Sequence, residues 1–141
     1  RLLVEEWLDA DRASGLVDYK FHMSRGRCFA IQVNEGFQAD KRTRMILTPD
    51  WQPHDVRWIY PRPHSLPQCP SNLAEMLKLA RLFSREFPYI RIDLYNLLRK
   101  GGGFDIYFGE FTFFPASGCV DMQPRSFDFW LGEQIKLRAS S

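Results

Sequence analysis

An antiparallel α+β fold is what this sequence predicts, on three observations. Residues that favour strands are abundant, with twelve Phe, five Tyr and four Trp in 141 residues, a bias that suits a pleated, half-buried surface better than a helix bundle. Apolar runs are joined in pairs by short glycine-containing turns, as in hairpins. Only 72–87 carries a sustained helical apolar rhythm, with a shorter candidate near the end of the chain.

Taken in order, Leu2 to Leu8 read as a first strand running into a polar edge, and Asp9 to Gly15 supply turn residues. The chain opens on Arg1 with strand character from Leu2, so the expectation is a piece cut from a longer protein. Leu16 to Met23 and Cys28 to Asn34 flank Ser24-Arg25-Gly26-Arg27, a hairpin turn, and Arg44 to Leu47 add a short strand. From Trp51 to Pro70 five of the nine prolines remove backbone donors, which predicts an irregular covering strap. Asn72 with Glu75 makes a capping box after Pro70, and Leu73, Met76, Leu77, Ala80 and Phe83 form one buried helical face extending to about Phe87. Tyr89 to Leu97 and Phe104 to Phe113 alternate as strands about Arg99-Lys100-Gly101-Gly102-Gly103. Ser126 to Leu137 suit a terminal helix weakened by Gly132. Together these describe a single partial domain over residues 1–141.

Nineteen basic against seventeen acidic residues, with no block of like charge, argue against a nucleic-acid footprint. No apolar run is long enough for a membrane-spanning helix, and no leader precedes the first strand, so a cytoplasmic protein is expected. Cys28, Cys69 and Cys119 are few, odd in number and widely spaced, which suits packing or surface thiols rather than disulfides or zinc. His22, His54 and His64 are equally scattered.

The chemistry-bearing pattern lies on the last hairpin. A turn centred between Gly101 and Gly102 sets Asp93 opposite Glu110 and Arg91 opposite Thr112, and period-two alternation places all four on one face. Two facing carboxylates repel unless a cation lies between them. Magnesium, which prefers hard oxygens and is completed by water and phosphate, is one such cation, with Arg91 beside it as a phosphate clamp. Arg91 neutralising the carboxylates in a salt-bridge ladder is the other.

Arg91-Ile92-Asp93-Leu94-Tyr95, then Phe108-Gly109-Glu110-Phe111-Thr112-Phe113, then Pro115 and Gly118, resemble the closing signature of ATP-grasp enzymes, an R-x-D strand followed by an E-x-N strand and a Pro/Gly turn. More closely, the chain is similar to the TupA-like ATP-grasp family, with supporting segments at Val4 to Leu8, Asp18-Tyr19-Lys20-Phe21, Lys41-Arg42, Asn72 to Met76, Phe87 to Asp93 and Leu131-Gly132. The resemblance implies the C-terminal half of an ATP-grasp domain, with the flap and first phosphate lysine upstream of Arg1.

Asp93 and Glu110 would then be magnesium ligands, Arg91 the catalytic phosphate contact, and Thr112 a third metal position where the wider superfamily has Asn. Glu5, Glu6, Trp7 and Leu8 would form the hinge strand that reads adenine and ribose, the alternative being a solvated strand edge. Lys20 would face phosphate or acceptor, or else be a surface lysine. Lys41, Arg42 and Arg44, the one dense basic cluster, would bind triphosphate or form a solvated turn. The implied reaction is ATP- and magnesium-dependent activation of a carboxylate as an acyl-phosphate for attack by an amine. The setting implied is the biosynthesis of bacterial cell-surface polysaccharide or teichuronopeptide, whose polymer precursor would be the acceptor. Phosphoryl transfer to a sugar and a noncatalytic carbohydrate- or partner-binding module are the alternatives.

Overall fold

The computed structural model describes residue 4 and residues 16–36, 42–99 and 101–137. The predicted first strand, the hinge residues Glu5, Glu6, Trp7 and Leu8, and Lys41 therefore lie outside the described residues, apart from Val4, which is exposed. The fold is α+β. Strands β1 (Asp18–Ser24), β2 (Arg27–Glu35) and β3 (Thr43–Leu47) precede helix α1 (Leu73–Ser84). Strands β4 (Ile90–Leu98) and β5 (Phe104–Thr112) follow, then a 3-10 turn at Pro115–Gly118 and helix α2 (Arg125–Glu133). The sheet runs in the order β3-β2-β1-β4-β5, with every neighbouring pair antiparallel.

Alternation gives this sheet two different faces. On one, Phe21, Met23, Ile31, Val33, Leu47, Ile90, Ile92 and Leu94 pack with Met76 and Ala80 of α1. Burying each such side chain stabilises the fold by about 1.5–3 kcal/mol. The opposite face is apolar at one end only. There Ala30 and Ile46 meet Val56 and Trp58 of the strap together with Met122 and Phe127. The rest of that face is polar.

The Trp51–Pro70 strap is irregular, as its prolines dictate, and is pinned at intervals. Leu47 bridges Pro53, Arg57 bridges Gln123, and the Trp51 indole donates to Pro67 O at 2.9 Å. Four helix expectations are corrected: the Asn72 cap, the end of α1, the burial of Phe83 and the end of α2. The Asn72 side chain does not cap α1; its amide exchanges hydrogen bonds with Asn96 of β4 at 2.9 and 2.8 Å, so helix and sheet are tied together instead. Helix α1 stops at Ser84 rather than near Phe87. Phe83 is 38% exposed, stacked edge-on against Phe108 and Phe111, while Ser84 takes the buried position. Helix α2 likewise ends at Glu133, short of Leu137.

The β4–β5 register differs from the simple expectation in an instructive way. Near the turn Leu98 pairs with Phe104 and Leu94 with Phe108, centring the hairpin on Gly101. All three tip glycines have φ between 81° and 112°, which only glycine adopts without strain. A bulge opposite Asp93 inserts one extra residue on β5, so that Ile92 meets Phe111 and Arg91 meets Thr112. Asp93 therefore has no one-to-one partner but faces the Gly109-Glu110 pair. A side chain would be tight there: a Cβ at position 109 would lie 3.1 Å from the Tyr95 ring and 3.2 Å from Asp93 O, so the neighbours would have to give by a few tenths of an ångström.

Candidate functional site

The polar face is built as ranks of cross-strand neighbours. Arg44, Asn34, Asp18 and Tyr95 form one rank across β3, β2, β1 and β4. Ile46, Gln32, Lys20 and Asp93 form the next, and Ala30, His22, Arg91 and Thr112 the third. Alternation along each strand brings these residues to one side of the sheet.

Arg91 is the hub. Its Nε donates to Asp93 Oδ1 at 2.7 Å and its Nη2 to Asp93 Oδ2 at 2.7 Å, a bidentate pair. The same Nη2 donates to Glu110 Oε1 at 2.9 Å and to Thr112 Oγ1 at 2.8 Å. Thr112 in turn donates to Glu110 Oε1 at 2.9 Å. Burial disfavours the guanidinium charge, yet the hydrogen bonds and charge of Asp93, with Glu110, outweigh it and raise the Arg91 pKa. Asp93 also receives Lys20 Nζ, which pairs on its other side with Asp18 Oδ2 at 2.6 Å. Three carboxylates thus share two cations. His22 adds no charge, because burial, with Arg91 beside it, pushes its pKa down to about 3.

The four residues of the predicted constellation are therefore brought together, and Lys20 joins them from β1, 73 residues away in sequence. Asp93 is buried, its side chain only 2% exposed, whereas the Glu110 side chain is 62% exposed. Among the described residues no group of three or more His, Cys, Asp or Glu is arranged for a metal.

Beside this network opens a cleft of about 200 Å³ lined by Asp18, Lys20, Asn34, Glu35, Arg42, Thr43, Arg44 and Tyr60. Two predicted nucleotide contacts, Lys20 and Arg42, thus stand on its wall. Arg42 donates to the Tyr60 hydroxyl at 3.3 Å. Arg44 lies between the Trp58 and Tyr60 rings, its guanidinium carbon 5.1 and 4.9 Å from their centroids. Its Nε donates to Asn34 Oδ1 at 3.0 Å and its Nη1 to Trp58 O at 3.4 Å. Burial without a carboxylate partner among the described residues lowers its pKa to about 10. Asp18 is raised by burial despite Lys20, and its Oδ1 is buried with no hydrogen-bond partner.

Asp18, Asn34 and Tyr60 went unassigned in the sequence. Asp18 could have been found, since it stands two residues before Lys20 and so shares its face. Asn34 and Tyr60 could not, because their place depends on the pairing of β2 with β3 and on the course of the strap.

The sequence model of one protein family, TupA-like ATPgrasp, matches residues 1–136. Neither the curated proteins nor the solved structures hold a match.

Proposed function

The chain belongs to the TupA-like ATP-grasp family, and from that premise we propose that it forms the C-terminal, metal- and phosphate-binding half of a cytoplasmic ligase. The proposed enzyme uses ATP and magnesium to join a carboxylate to an amine during synthesis of a bacterial cell-surface polymer such as teichuronopeptide. The observation that carries this reading is the convergence of Asp93, Glu110 and Thr112 on the Arg91 guanidinium, joined through Lys20 to a cleft that Lys20 and Arg42 line.

The donor set fits magnesium. Glu110 Oε2 is on an exposed carboxylate and carries no hydrogen bond from the described residues, whereas both Asp93 oxygens accept from Arg91 and Lys20, so Asp93 would join the ion by exchanging one of those bonds. Magnesium is commonly held by one or two carboxylates, with water and phosphate filling the remaining positions. Thr112 is the weakest candidate, its hydroxyl already donating to Glu110 and accepting from Arg91. When bound, the ion would neutralise the ATP phosphates and align the transferred group.

The chain's own residues orient and neutralise. Arg91 is held by its Nε and Nη2 bonds and leaves Nη1 without a partner among the described residues, a donor that a phosphate oxygen would use. Lys20 and Arg42 flank the cleft as further positive charge, with Lys41 as their proposed neighbour. In the proposed reaction a carboxylate oxygen attacks the γ-phosphorus and ADP leaves. The amine lone pair then attacks the carbonyl carbon, phosphate leaves, and the amine gives up a proton.

Calorimetry with an ATP analogue, with and without magnesium, tests the proposal. Glu110→Gln removes one carboxylate charge from an exposed position and should abolish the magnesium dependence. Asp93→Asn should do the same, at some cost in folding. Unchanged magnesium-dependent binding in both variants would reduce the cluster to a structural ion-pair ladder. Acceptor trials read by product mass separate amide formation from phosphoryl transfer to a sugar.

A further inference from the structure

The rank formed by Arg44, Asn34 and Asp18 is not used by the metal and phosphate chemistry above, and two of its groups are incomplete. Arg44 is a buried guanidinium with no carboxylate in ion-pair reach among the described residues, and its Nη2 has no partner there. Asp18 is buried too, with Oδ2 on Lys20 and Oδ1 facing no donor. Only Asn34 separates them on the sheet, and it holds Arg44 by Nε. They form no ion pair with each other, yet both line the same cleft. A buried carboxylate oxygen without a donor is costly, and a guanidinium without a counter-ion in the same lining adds a second unmet charge, so one ligand carrying both charges would complete both.

We infer that this rank is the acceptor subsite and takes a free α-amino acid, with its carboxylate on Arg44 and its ammonium on Asp18. The inference rests on the ligase reading and names one substrate class for it. At Arg44 a simple oxyanion fits less well, because Asp18 and Glu35 stand in the same lining and repel it, whereas the phosphates of the proposed nucleotide are answered by Arg91, Lys20 and Arg42 together. A lone amine leaves Arg44 unmatched. The cleft, at about 200 Å³, lies below the range of about 300–1,000 Å³ usual for drug-sized ligands, which suits a small polar unit. Arg44 is preset for the role: Trp58 and Tyr60 bracket its guanidinium and Asn34 fixes its Nε, so little side-chain freedom is lost on binding.

The test is a titration of the full protein followed by amide chemical shifts, with four probes: L-alanine, N-acetyl-L-alanine, L-alaninamide and inorganic phosphate. The expected result is saturable binding of L-alanine that shifts Asn34 and Arg44, with the two blocked forms and phosphate each weaker by tenfold or more. Asp18→Asn and Arg44→Lys should each weaken L-alanine by a similar factor, in variants whose spectra show the native fold. Equal binding of N-acetyl-L-alanine or of phosphate, read at Asn34 and Arg44, would overturn the inference, and the probe series on the unmodified protein decides this even if a variant misfolds. Binding of an ATP analogue with magnesium is measured in parallel. If the analogue binds and L-alanine does not, the acceptor assignment alone fails. If the analogue does not bind, the nucleotide reading fails, and the L-alanine series still decides the subsite.

Discussion

At the scale of single residues, Arg91 does two things that pull in different directions. Its bidentate bond to buried Asp93 is structural, while its bonds to exposed Glu110 and to Thr112 reach the candidate site. Arg91→Met should therefore destabilise the fold by about 3–5 kcal/mol, because it leaves Asp93 buried with only Lys20 to answer its charge. Glu110→Gln, lost from solvent, should change stability by less than about 1 kcal/mol. Chemical denaturation of the two variants checks the contrast, and equal losses would contradict it. The shared face of Arg91, Asp93, Glu110 and Thr112 was legible in the sequence because it depends only on alternation across one hairpin. Lys20 could be named but not placed, and Asp18, Asn34 and Tyr60 were not assigned at all. Their positions depend on contacts between strands far apart in sequence, which no local pattern encodes.

Among the elements, the last hairpin shows how a site can be aligned by an irregularity. The sequence-based register assumed a turn between Gly101 and Gly102 with no bulge; the turn is centred half a residue earlier, and the Gly109 bulge restores the offset. The two departures cancel at Arg91 and Thr112, which is why the face was foreseen while the pairing of Asp93 was not. Gly109→Ala forces a methyl against the Tyr95 ring and Asp93 O. It should cost about 1–3 kcal/mol, as overpacking does, and should weaken magnesium-dependent nucleotide binding by moving Glu110 relative to Arg91. Stability loss with unchanged binding would separate the bulge from the site. The helix α1 teaches the opposite lesson. Its apolar rhythm was legible, but the Asn72-Glu75 capping signal was overridden because Asn72 finds Asn96 across the interface. A double-mutant cycle on Asn72→Ala and Asn96→Ala should give a coupling near 1 kcal/mol; independent effects would mean that the amide pair contributes nothing.

Across the whole molecule, the polar face is closed at one end by the strap and α2, and that closure fixes the behaviour of the groups beneath. His22 lies under Trp58, Phe29 and Tyr89 and is held neutral, its pKa pushed down to about 3 from 6.5. Its folded value lies below its unfolded one, so on acidification the unfolded chain takes up a proton that the native state refuses. The contribution of neutral His22 is complete above pH 6.5 and is lost as pH falls from there toward about 3, at a slope approaching about 1.4 kcal/mol per pH unit. Asp18 acts in the opposite sense, since its raised native pKa favours the folded state on acidification, and it offsets part of the slope set by His22. Denaturation midpoints between pH 7 and pH 4 should fall accordingly, and His22→Gln should flatten the upper part of the curve.

The other face of the sheet offers an independent probe of the same closure. Cys28 is packed in the core beneath α1, with burial pushing its thiol up to about 12, whereas Cys69 and Cys119 are exposed. Alkylation proceeds through the thiolate, so a thiol that is both buried and held protonated reacts only after the sheet and α1 separate. Under native conditions iodoacetamide should therefore modify Cys69 and Cys119 and spare Cys28. Labelling of Cys28 should appear with global unfolding and follow the same denaturant midpoint as the loss of near-ultraviolet circular dichroism. The acid destabilisation through His22 should accelerate it as pH falls, after allowance for the lower intrinsic thiolate fraction, because His22 on one face and Cys28 on the other are carried by the same β1–β2 hairpin. Modification of Cys28 as fast as the exposed pair would show that α1 lifts from the sheet without unfolding, and the two faces would then be separate cooperative units.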